Sequence, residues 1–328
     1  MKNPKNKNQF VTLAFIGTVL AACGGGGGGG ANAPASSPTV TITTPEVTVQ
    51  SGQEISYCYY FHVPNANDMF MKQWRATFSA GVQRAALFYM EVDVQPEGTL
   101  SSQNCAPSVI QSATINNQVT NIIGTWAFSA NRSGDEYQFP ADDGTGKPVG
   151  LSTLAGQRAY VWIHMFNPTT GPLQVSMTLH GTAYPLNTAV TRADSFVTFN
   201  GNLNIPAFAN KTEQRTCAVP GSDAKFISFT MHTNRQSVST TVSAMINNVQ
   251  TNLFEGTNWE APGLRTFSAP DFFTPPDGRI TYRCDYVNPT NRTITTGNST
   301  GTDEMCMMLS HYFPAPRPRF CFNDILQQ

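Results

Sequence analysis

The feature that most constrains this chain is the repeated alternation of apolar and polar residues in short segments. Between 173 and 180, for example, the odd positions are Leu, Val, Met and Leu, and the even positions are Gln, Ser, Thr and His. A period of two places one class on each face of a β-strand. The segment 226–232 alternates less cleanly and carries apolar residues on both faces, as a covered strand would. Further strand candidates lie at 54–63, 85–94, 121–130, 158–167, 238–246, 279–288 and 304–313. The pattern predicts an all-β fold, in which 71–79 is the best candidate for a helix.

The overall charge of the chain limits its partners. Lys and Arg total 20, Asp and Glu total 21, and the net charge is −1. This balance excludes an electrostatic nucleic-acid-binding surface. Hydrophobic residues make up 40% of the chain, enough for a sizeable core. The periodicity lapses between 185 and 194, which predicts two antiparallel β-sandwich domains at 41–190 and 191–328.

The N-terminus has the features of an export signal. Lysines among the first seven residues precede an apolar run over 10–22, which is too short to span a bilayer. The run ends in Leu-Ala-Ala-Cys at 20–23, which resembles the lipobox of bacterial lipoproteins. The resemblance implies a signal peptide over 1–22. An ordinary secretory signal, in which Cys23 is incidental, is the alternative.

The residues after the signal are typical of a tether. Cys23 would carry the lipid, and the Gly-rich and Ala/Pro-rich stretch that completes 23–40 would hold the domains away from a membrane. We therefore expect a lipid-anchored protein of the bacterial cell envelope, sorted to the outer membrane. Its membrane partner would be contacted through Cys23.

Six cysteines remain after Cys23. An even count in an exported chain favours disulfides over buried free thiols, the alternative. Six cysteines allow fifteen pairings, and spacing alone does not choose among them. They are Cys58, Cys105, Cys217, Cys284, Cys306 and Cys321.

The most specific motif lies in the second half. Tyr-Arg-Cys-Asp-Tyr at 282–286 is followed by Gly-Asn-Ser-Thr-Gly-Thr-Asp-Glu-Met-Cys at 297–306. This pair resembles the C-terminal domain of the copper type II ascorbate-dependent monooxygenases. The resemblance implies that Met305 is a copper ligand and that Cys284 and Cys306 form a disulfide.

Weaker resemblance to the same family covers most of the remaining chain. It is carried by 57–61, 71–75 with 81–88, 161–164 and 229–234. It implies two packed jelly-roll sandwiches facing a solvent-filled cleft, one copper on each wall, with C–H hydroxylation by O2 and ascorbate as reductant. It further implies the disulfides Cys58–Cys105 and Cys217–Cys321.

The implied copper ligands are only partly present in this sequence. At the electron-storing site His164 occupies the lone-His position, whereas Gln83 and Arg84 replace the His-His pair. Arg is permanently charged and cannot donate an electron pair to a metal. At the oxygen-binding site His232 and Met305 are present and Asn234 replaces the second His.

Asn is a weak, hard ligand for Cu(I), whereas imidazole and thioether suit it. His311 shares strand parity with Met305, so it is a further candidate ligand. The sequence thus supports three functions. They are a copper hydroxylase with a single or rebuilt site, a non-catalytic module that binds a small molecule, peptide or glycan, and a protein that captures or delivers copper.

Overall fold

The computed structural model describes residues 36–103, 105–115, 118–297 and 299–327. The predicted signal peptide, Cys23 and most of the predicted tether lie outside these residues. Residues Ser36–Gln328 form one compact unit. The regular structure within the described ranges consists of strands alone, which confirms the all-β prediction. None of the described segments is a helix long and apolar enough to cross a membrane.

Fourteen strands lie before residue 190. They are β1 Thr39–Thr43, β2 Val47–Val49, β3 Glu54–His62, β4 Met69–Phe78, β5 Val82–Tyr89, β6 Leu100–Ser101, β7 Ile110–Ile115, β8 Gln118–Ile123, β9 Thr125–Ala130, β10 Glu136–Gln138, β11 Val149–Thr153, β12 Arg158–Phe166, β13 Leu173–Val175 and β14 Met177–Ala183.

Thirteen strands follow. They are β15 Thr191–Phe199, β16 Asn204–Ile205, β17 Asn210–Ala218, β18 Lys225–Phe226, β19 Ser228–His232, β20 Ser237–Ile246, β21 Val249–Gly256, β22 Arg265–Thr266, β23 Arg279–Val287, β24 Ile294–Thr295, β25 Met307–Phe313, β26 Arg319–Phe322 and β27 Ile325–Gln327.

These strands form three main sheets. The largest has the order β1-β14-β4-β11-β15-β25-β19-β22 and therefore contains strands from both halves of the chain. A five-stranded sheet, β6-β3-β12-β5-β9, belongs to the first half. A four-stranded sheet, β17-β23-β20-β21, belongs to the second half. One parallel pairing, between β11 and β15, joins the two halves within the largest sheet, with Val149 opposite Thr191.

Three hydrophobic cores fill the spaces between the sheets. The first packs Trp74 and Leu179 of the largest sheet against Val161 of the five-stranded sheet. The second packs Met308 of the largest sheet against Tyr282 of the four-stranded sheet. Each half is thus an antiparallel sandwich, as the jelly-roll prediction requires. The independence of 41–190 and 191–328 as domains stays a prediction.

The third core lies between the two halves. It packs Tyr60 and Trp162, on the far face of the five-stranded sheet, against Val197, Met307 and Leu309 of the largest sheet. All five side chains are nearly inaccessible to solvent. Apolar packing therefore covers a large part of the surface between the sandwiches.

The helix predicted at 71–79 is wrong, because residues 71–78 belong to strand β4. Opposite β14, Gln73 pairs with Thr182 and Met71 pairs with Ala183, so that Lys72 is an extra residue in the ladder. Such a bulge shifts the two-residue alternation by one position. Met71 and Trp74 are both fully buried although they are three residues apart, a spacing that also fits a helix.

The structure contains three disulfides, and they are the three pairs that the family resemblance implied. They are Cys58–Cys105, Cys217–Cys321 and Cys284–Cys306, with Cα–Cα distances of 5.4, 6.3 and 6.0 Å. Each contributes roughly 2–4 kcal/mol to stability, mainly by restricting the unfolded chain.

Candidate functional site

The candidate ligands lie on two sheet faces that meet at the third core. We call the face of β3, β5 and β12 the first wall; it carries Glu54, Arg84 and His164. Strand alternation defines it, because Cys58, Trp162 and Ala86, at even spacing from these residues, all belong to the third core. The second wall is the face of β19 and β25 that carries His232, Met307 and His311, together with Met305 just before β25.

On the first wall, His164 and Arg84 are direct cross-strand partners. Such pairs have Cβ atoms about 4.5–5.5 Å apart on one face of the sheet. Beyond this pair, Val82 lies opposite Met165, so Gln83 is the extra residue of a bulge, and it is exposed. Gln83 and Arg84, which stand where the family has its adjacent His-His pair, therefore lie in different environments: Gln83 is exposed and Arg84 is buried.

A carboxylate that the sequence analysis missed holds His164. Nε2 of His164 lies 2.9 Å from Oε1 of Glu54, which also accepts a 2.5 Å hydrogen bond from the hydroxyl of Thr300. Burial raises the pKa of Glu54, but the hydrogen bonds from Thr300 and His164 outweigh this effect and hold the pKa below its usual value. Glu54 is therefore ionised at neutral pH and connects the two halves of the chain.

Arg84 is 5% exposed and lies beneath Trp259, with its guanidinium carbon 4.9 Å from the ring centroid. Burial lowers the pKa of Arg84, and the charges of Glu260 and Glu54 oppose this effect. Burial also lowers the pKa of His164, and the charge of Arg84 lowers it further. The first wall therefore carries a fixed positive charge next to a neutral imidazole.

The second wall carries softer, uncharged groups. His232 is the cross-strand partner of Met307, and Met305 and Met307 both belong to the third core. Burial lowers the pKa of His232 to about 3, with further contributions from the charges of Arg84 and His164. Met307, the partner of His232, shares the third core with Trp162, which is two residues from His164, so His232 lies on the part of the second wall that faces the first.

Asn234 does not share the environment of His232. Strand β19 ends at His232, so the alternation that would align the two side chains stops there. The backbone N–H of Asn234 donates to Oε2 of Glu304 at 2.9 Å, and its side-chain amide donates to the Asp303 carbonyl at 3.1 Å. The Asn234 side chain thus holds the 303–304 segment in place.

Glu304 supports the loop that carries Met305. Its carboxylate is fully buried and accepts hydrogen bonds from the backbone N–H groups of Gln236 and Met305 as well as from that of Asn234. Burial raises the pKa of Glu304 to about 7, although these donors favour its charged form. The Met305 carbonyl in turn accepts a 2.8 Å hydrogen bond from the Tyr286 hydroxyl.

His311 lies on the same face of β25 as Met307 but is distant from His232. Met307 pairs with His232, whereas His311 pairs with Ser195 four residues along the strand, a separation of about 13 Å. Nε2 of His311 lies 3.0 Å from the Trp126 carbonyl oxygen, and burial lowers the pKa of His311 to about 4. The parity argument placed His311 on the correct face but could not give its distance from His232.

A cavity of about 340 Å3 opens at the His311 end of the second wall. Trp126, Phe128 and Tyr137 of the first half line it together with Leu264 and Leu309 of the second half. The Tyr137 hydroxyl lies 3.1 Å from that of Ser228, so a polar pair also borders the space. Within the described residues, no cluster of three or more His, Cys, Asp or Glu side chains is arranged to hold a metal ion.

Sequence reasoning missed Glu54, Thr300 and Trp259. Glu54 shares strand parity with Cys58, which offered one signal for its orientation. Thr300 lies 246 residues from Glu54 in the sequence, and no local pattern indicates their contact.

Comparison with known proteins adds one family and a few distant folds. No curated protein matches this chain. Among solved structures, the glycosylasparaginase PNGase F from Flavobacterium meningosepticum is 12% identical, with a TM-score of 0.31 over 84% of this chain and 94% of that one. The major capsid protein P2 of bacteriophage PM2 is 7% identical, with a TM-score of 0.35 over 84% of this chain and 97% of that one. Neither likeness carries a functional argument.

The family comparison concerns the second half. Residues 197–328 match the C-terminal domain of the copper type II ascorbate-dependent monooxygenases. The matched region contains His232, Met305 and the Cys284–Cys306 disulfide, which the motif at 297–306 had singled out. Residues 197–328 of this chain therefore belong to the C-terminal domain family of the copper type II ascorbate-dependent monooxygenases.

Proposed function

We propose that this protein is a lipoprotein of the bacterial cell envelope, anchored in the outer membrane through Cys23, that uses a monooxygenase scaffold to bind a ligand without redox catalysis. The observation that carries the proposal is the first wall. A fixed cation, Arg84, stands there beside His164, whose Nε2 is engaged by Glu54.

The side chains at the implied copper sites do not provide the ligands that copper would need there. The implied electron-storing site needs three imidazoles, and the first wall offers His164 beside a guanidinium that repels a metal cation. The implied oxygen-binding site needs two imidazoles and a thioether. There the amide of Asn234 is committed to the Asp303 carbonyl. Electron storage and oxygen activation therefore lack their ligand sets.

The cavity beside His311 supports the binding role. Small-molecule pockets typically enclose about 300–1,000 Å3, with apolar walls and a few polar groups. This cavity, of about 340 Å3, is within that range, and Trp126 and Phe128 line it together with polar groups that include Arg132 and Asp135. Its aromatic residues favour a small molecule with a flat apolar part, and its polar residues favour one that also carries polar groups.

Copper loading and oxygen consumption test the proposal together. The purified chain, treated with Cu(I) or Cu(II) and then desalted, should retain far less than one equivalent of copper. It should show no ascorbate-dependent oxygen uptake above that of a Met305→Ala variant. Oxygen uptake in the unaltered protein that disappears in Met305→Ala would refute the proposal and restore the hydroxylase.

The anchor has its own test. Growth with a labelled fatty acid should label the unaltered protein, and Cys23→Ser should lose the label and enter the soluble fraction. Equal membrane association of both proteins would contradict lipidation at Cys23.

A second function, capture of Cu(I), is favoured by one observation on the second wall. His232 is paired with Met307, and Met305 belongs to the same core, so one imidazole and two thioethers share a face. Soft thioethers select Cu(I) over Cu(II). Retention of Cu(I) but not Cu(II), lost in Met305→Leu and unaccompanied by oxygen uptake, would favour this function over the ligand-binding role.

A further inference from the structure

Two polar groups on the first wall make no hydrogen bond to the described part of the protein. Arg84 is 5% exposed, and its guanidinium has no hydrogen bond or ion pair within the part of the chain that the structure describes. His164 is 4% exposed, and its Nδ1 atom likewise has no hydrogen-bond partner among the described residues. A buried polar atom without a hydrogen-bond partner, such as Nδ1 of His164, is costly, and the Arg84 guanidinium contacts the Trp259 ring instead of a hydrogen-bond acceptor.

These two groups are placed to bind one ligand. His164 and Arg84 are cross-strand partners with side chains on the same face. Neighbouring carboxylates do not complete the site, because Glu54 engages only Nε2 of His164, and Glu260 is exposed and forms no ion pair with Arg84. A ligand between the two walls would also meet His232, which has no hydrogen-bond partner within the described ranges.

The hydrogen-bonding roles of the two groups define the ligand. Arg84 can only donate. Because the Nε2–H of neutral His164 donates to the ionised Glu54, its Nδ1 atom can only accept. A complementary ligand therefore offers a negatively charged oxygen to Arg84 and an O–H to Nδ1.

We propose that Arg84 and His164, with His232 facing them, form a binding site for a small oxyanion that carries a hydroxyl group. Bicarbonate, dihydrogen phosphate and a 2-hydroxycarboxylate share this chemistry. An open cavity of about 490 Å3, lined by Arg84, Gln83 and Glu260, connects Arg84 to solvent. The open cavity borders the cavity beside His311 at Arg132, but the proposed anion site does not rest on the proposed function.

Anion titration of the full chain tests the site. Phosphate, bicarbonate and lactate, each added at constant ionic strength, should raise the melting temperature and shift the NMR resonances of the His164 and His232 rings. Acetate, which offers no O–H when ionised, should bind more weakly. Chloride serves as the ionic-strength control.

Variants identify the residues. Arg84→Gln should weaken binding of the best oxyanion at least about tenfold, because a charge-assisted hydrogen bond is lost. Arg132→Gln is the matched control, since Arg132 also lines the open cavity but is exposed and paired with Asp135. The affinity of the Arg132→Gln variant for the same oxyanion should be unchanged.

Three results would overturn the site. They are the absence of any oxyanion-dependent shift of the two imidazoles in the unaltered protein, an equal response to chloride, and an equal loss of affinity in both arginine variants. The NMR titration decides the matter without a substitution if Arg84→Gln fails to fold. These expected results are the same whether or not the chain binds copper.

Discussion

The two walls that meet between the sandwiches have opposite chemistry. The first wall is charged and hydrogen-bonded, with Glu54 bridging His164 and Thr300, and with Arg84 buried under Trp259. The second wall is neutral and soft, with His232 beside Met307 in an apolar core. At the positions where the family resemblance implies copper ligands, the two walls depart from the family in different ways. On one wall a cation stands at a ligand position, and on the other the strand ends before the second ligand position.

The largest expected effects come from the disulfides, and the one beside the second wall bears directly on the comparison. Replacing Cys284 and Cys306 by Ala should lower the free energy of unfolding by roughly 3 kcal/mol, because the unfolded chain regains the freedom of a 22-residue loop. The His232 resonance should shift as well, since Cys306 adjoins Met305. Denaturant unfolding and NMR measure the two effects.

The matched control removes the disulfide of the first wall. Cys58→Ala with Cys105→Ala opens a 47-residue loop and should cost about 0.7 kcal/mol more on loop length alone. It should leave the His232 resonance in place. A shift of that resonance in both variants would show that the two walls form one mechanical unit.

A pH effect of similar size should come from His311. The pKa of His311 is about 4 in the folded protein, below its ordinary value of 6.5, so the unfolded chain binds more protons between these values. The stabilisation is present above pH 6.5 and is lost as the pH falls through 4. The loss amounts to about 3 kcal/mol.

His311→Gln should therefore flatten the dependence of stability on pH between 6.5 and 4, whatever its effect at neutral pH. Unfolding curves at several pH values measure the slope. An unchanged slope would mean that His311 is protonated in the folded state and that the second wall is more polar than its packing indicates.

A smaller effect is expected from the carboxylate of Glu54, which connects the two halves of the chain. Glu54→Gln weakens the contacts with His164 and Thr300, and it should lower the free energy of unfolding by about 1 kcal/mol or less, because the Glu54 side chain is 39% exposed. Thr300→Val removes only the contact between the halves and should cost less than Glu54→Gln. Equal losses would show that the His164 contact contributes nothing.

The smallest expected effect is the coupling between Arg84 and Trp259. A double-mutant cycle with Arg84→Met and Trp259→Leu should give a coupling energy of about 0.5–1 kcal/mol in thermal or denaturant unfolding. A coupling energy of zero would mean that the indole covers Arg84 without stabilising its charge.

The sequence allowed the fold to be predicted where alternation is regular. The segment at 279–288 appears as β23 because its alternation is uninterrupted, and the segment at 158–167 appears as β12, which is buried on both faces. Strand β4 was mistaken for a helix because the bulge at Lys72 moves Trp74 out of phase with Met71. A one-residue insertion does not change the composition of a segment. It changes only the spacing of the buried residues, so the resulting error in secondary-structure prediction is local.

The candidate site was less predictable because it depends on contacts between distant segments. Strand parity identified the face of His311, yet the hydrogen bond that fixes it comes from Trp126 in the other half. The partner of His164 proved to be Glu54, 110 residues away. The contacts of side chains between two sheets depend on how the sheets pack together, and this packing cannot be predicted from any single segment of the sequence.

The parallel pairing of β11 with β15 restricts how ligands can enter. Leu151 and Ala193 are register partners across the junction of the two sandwiches, so the backbone ladder is continuous there. A clamshell motion of one sandwich away from the other would have to break that ladder. Exchange of bound molecules should therefore proceed through the rims of the cavities by side-chain rearrangement, on the timescale of rotamer and loop motions.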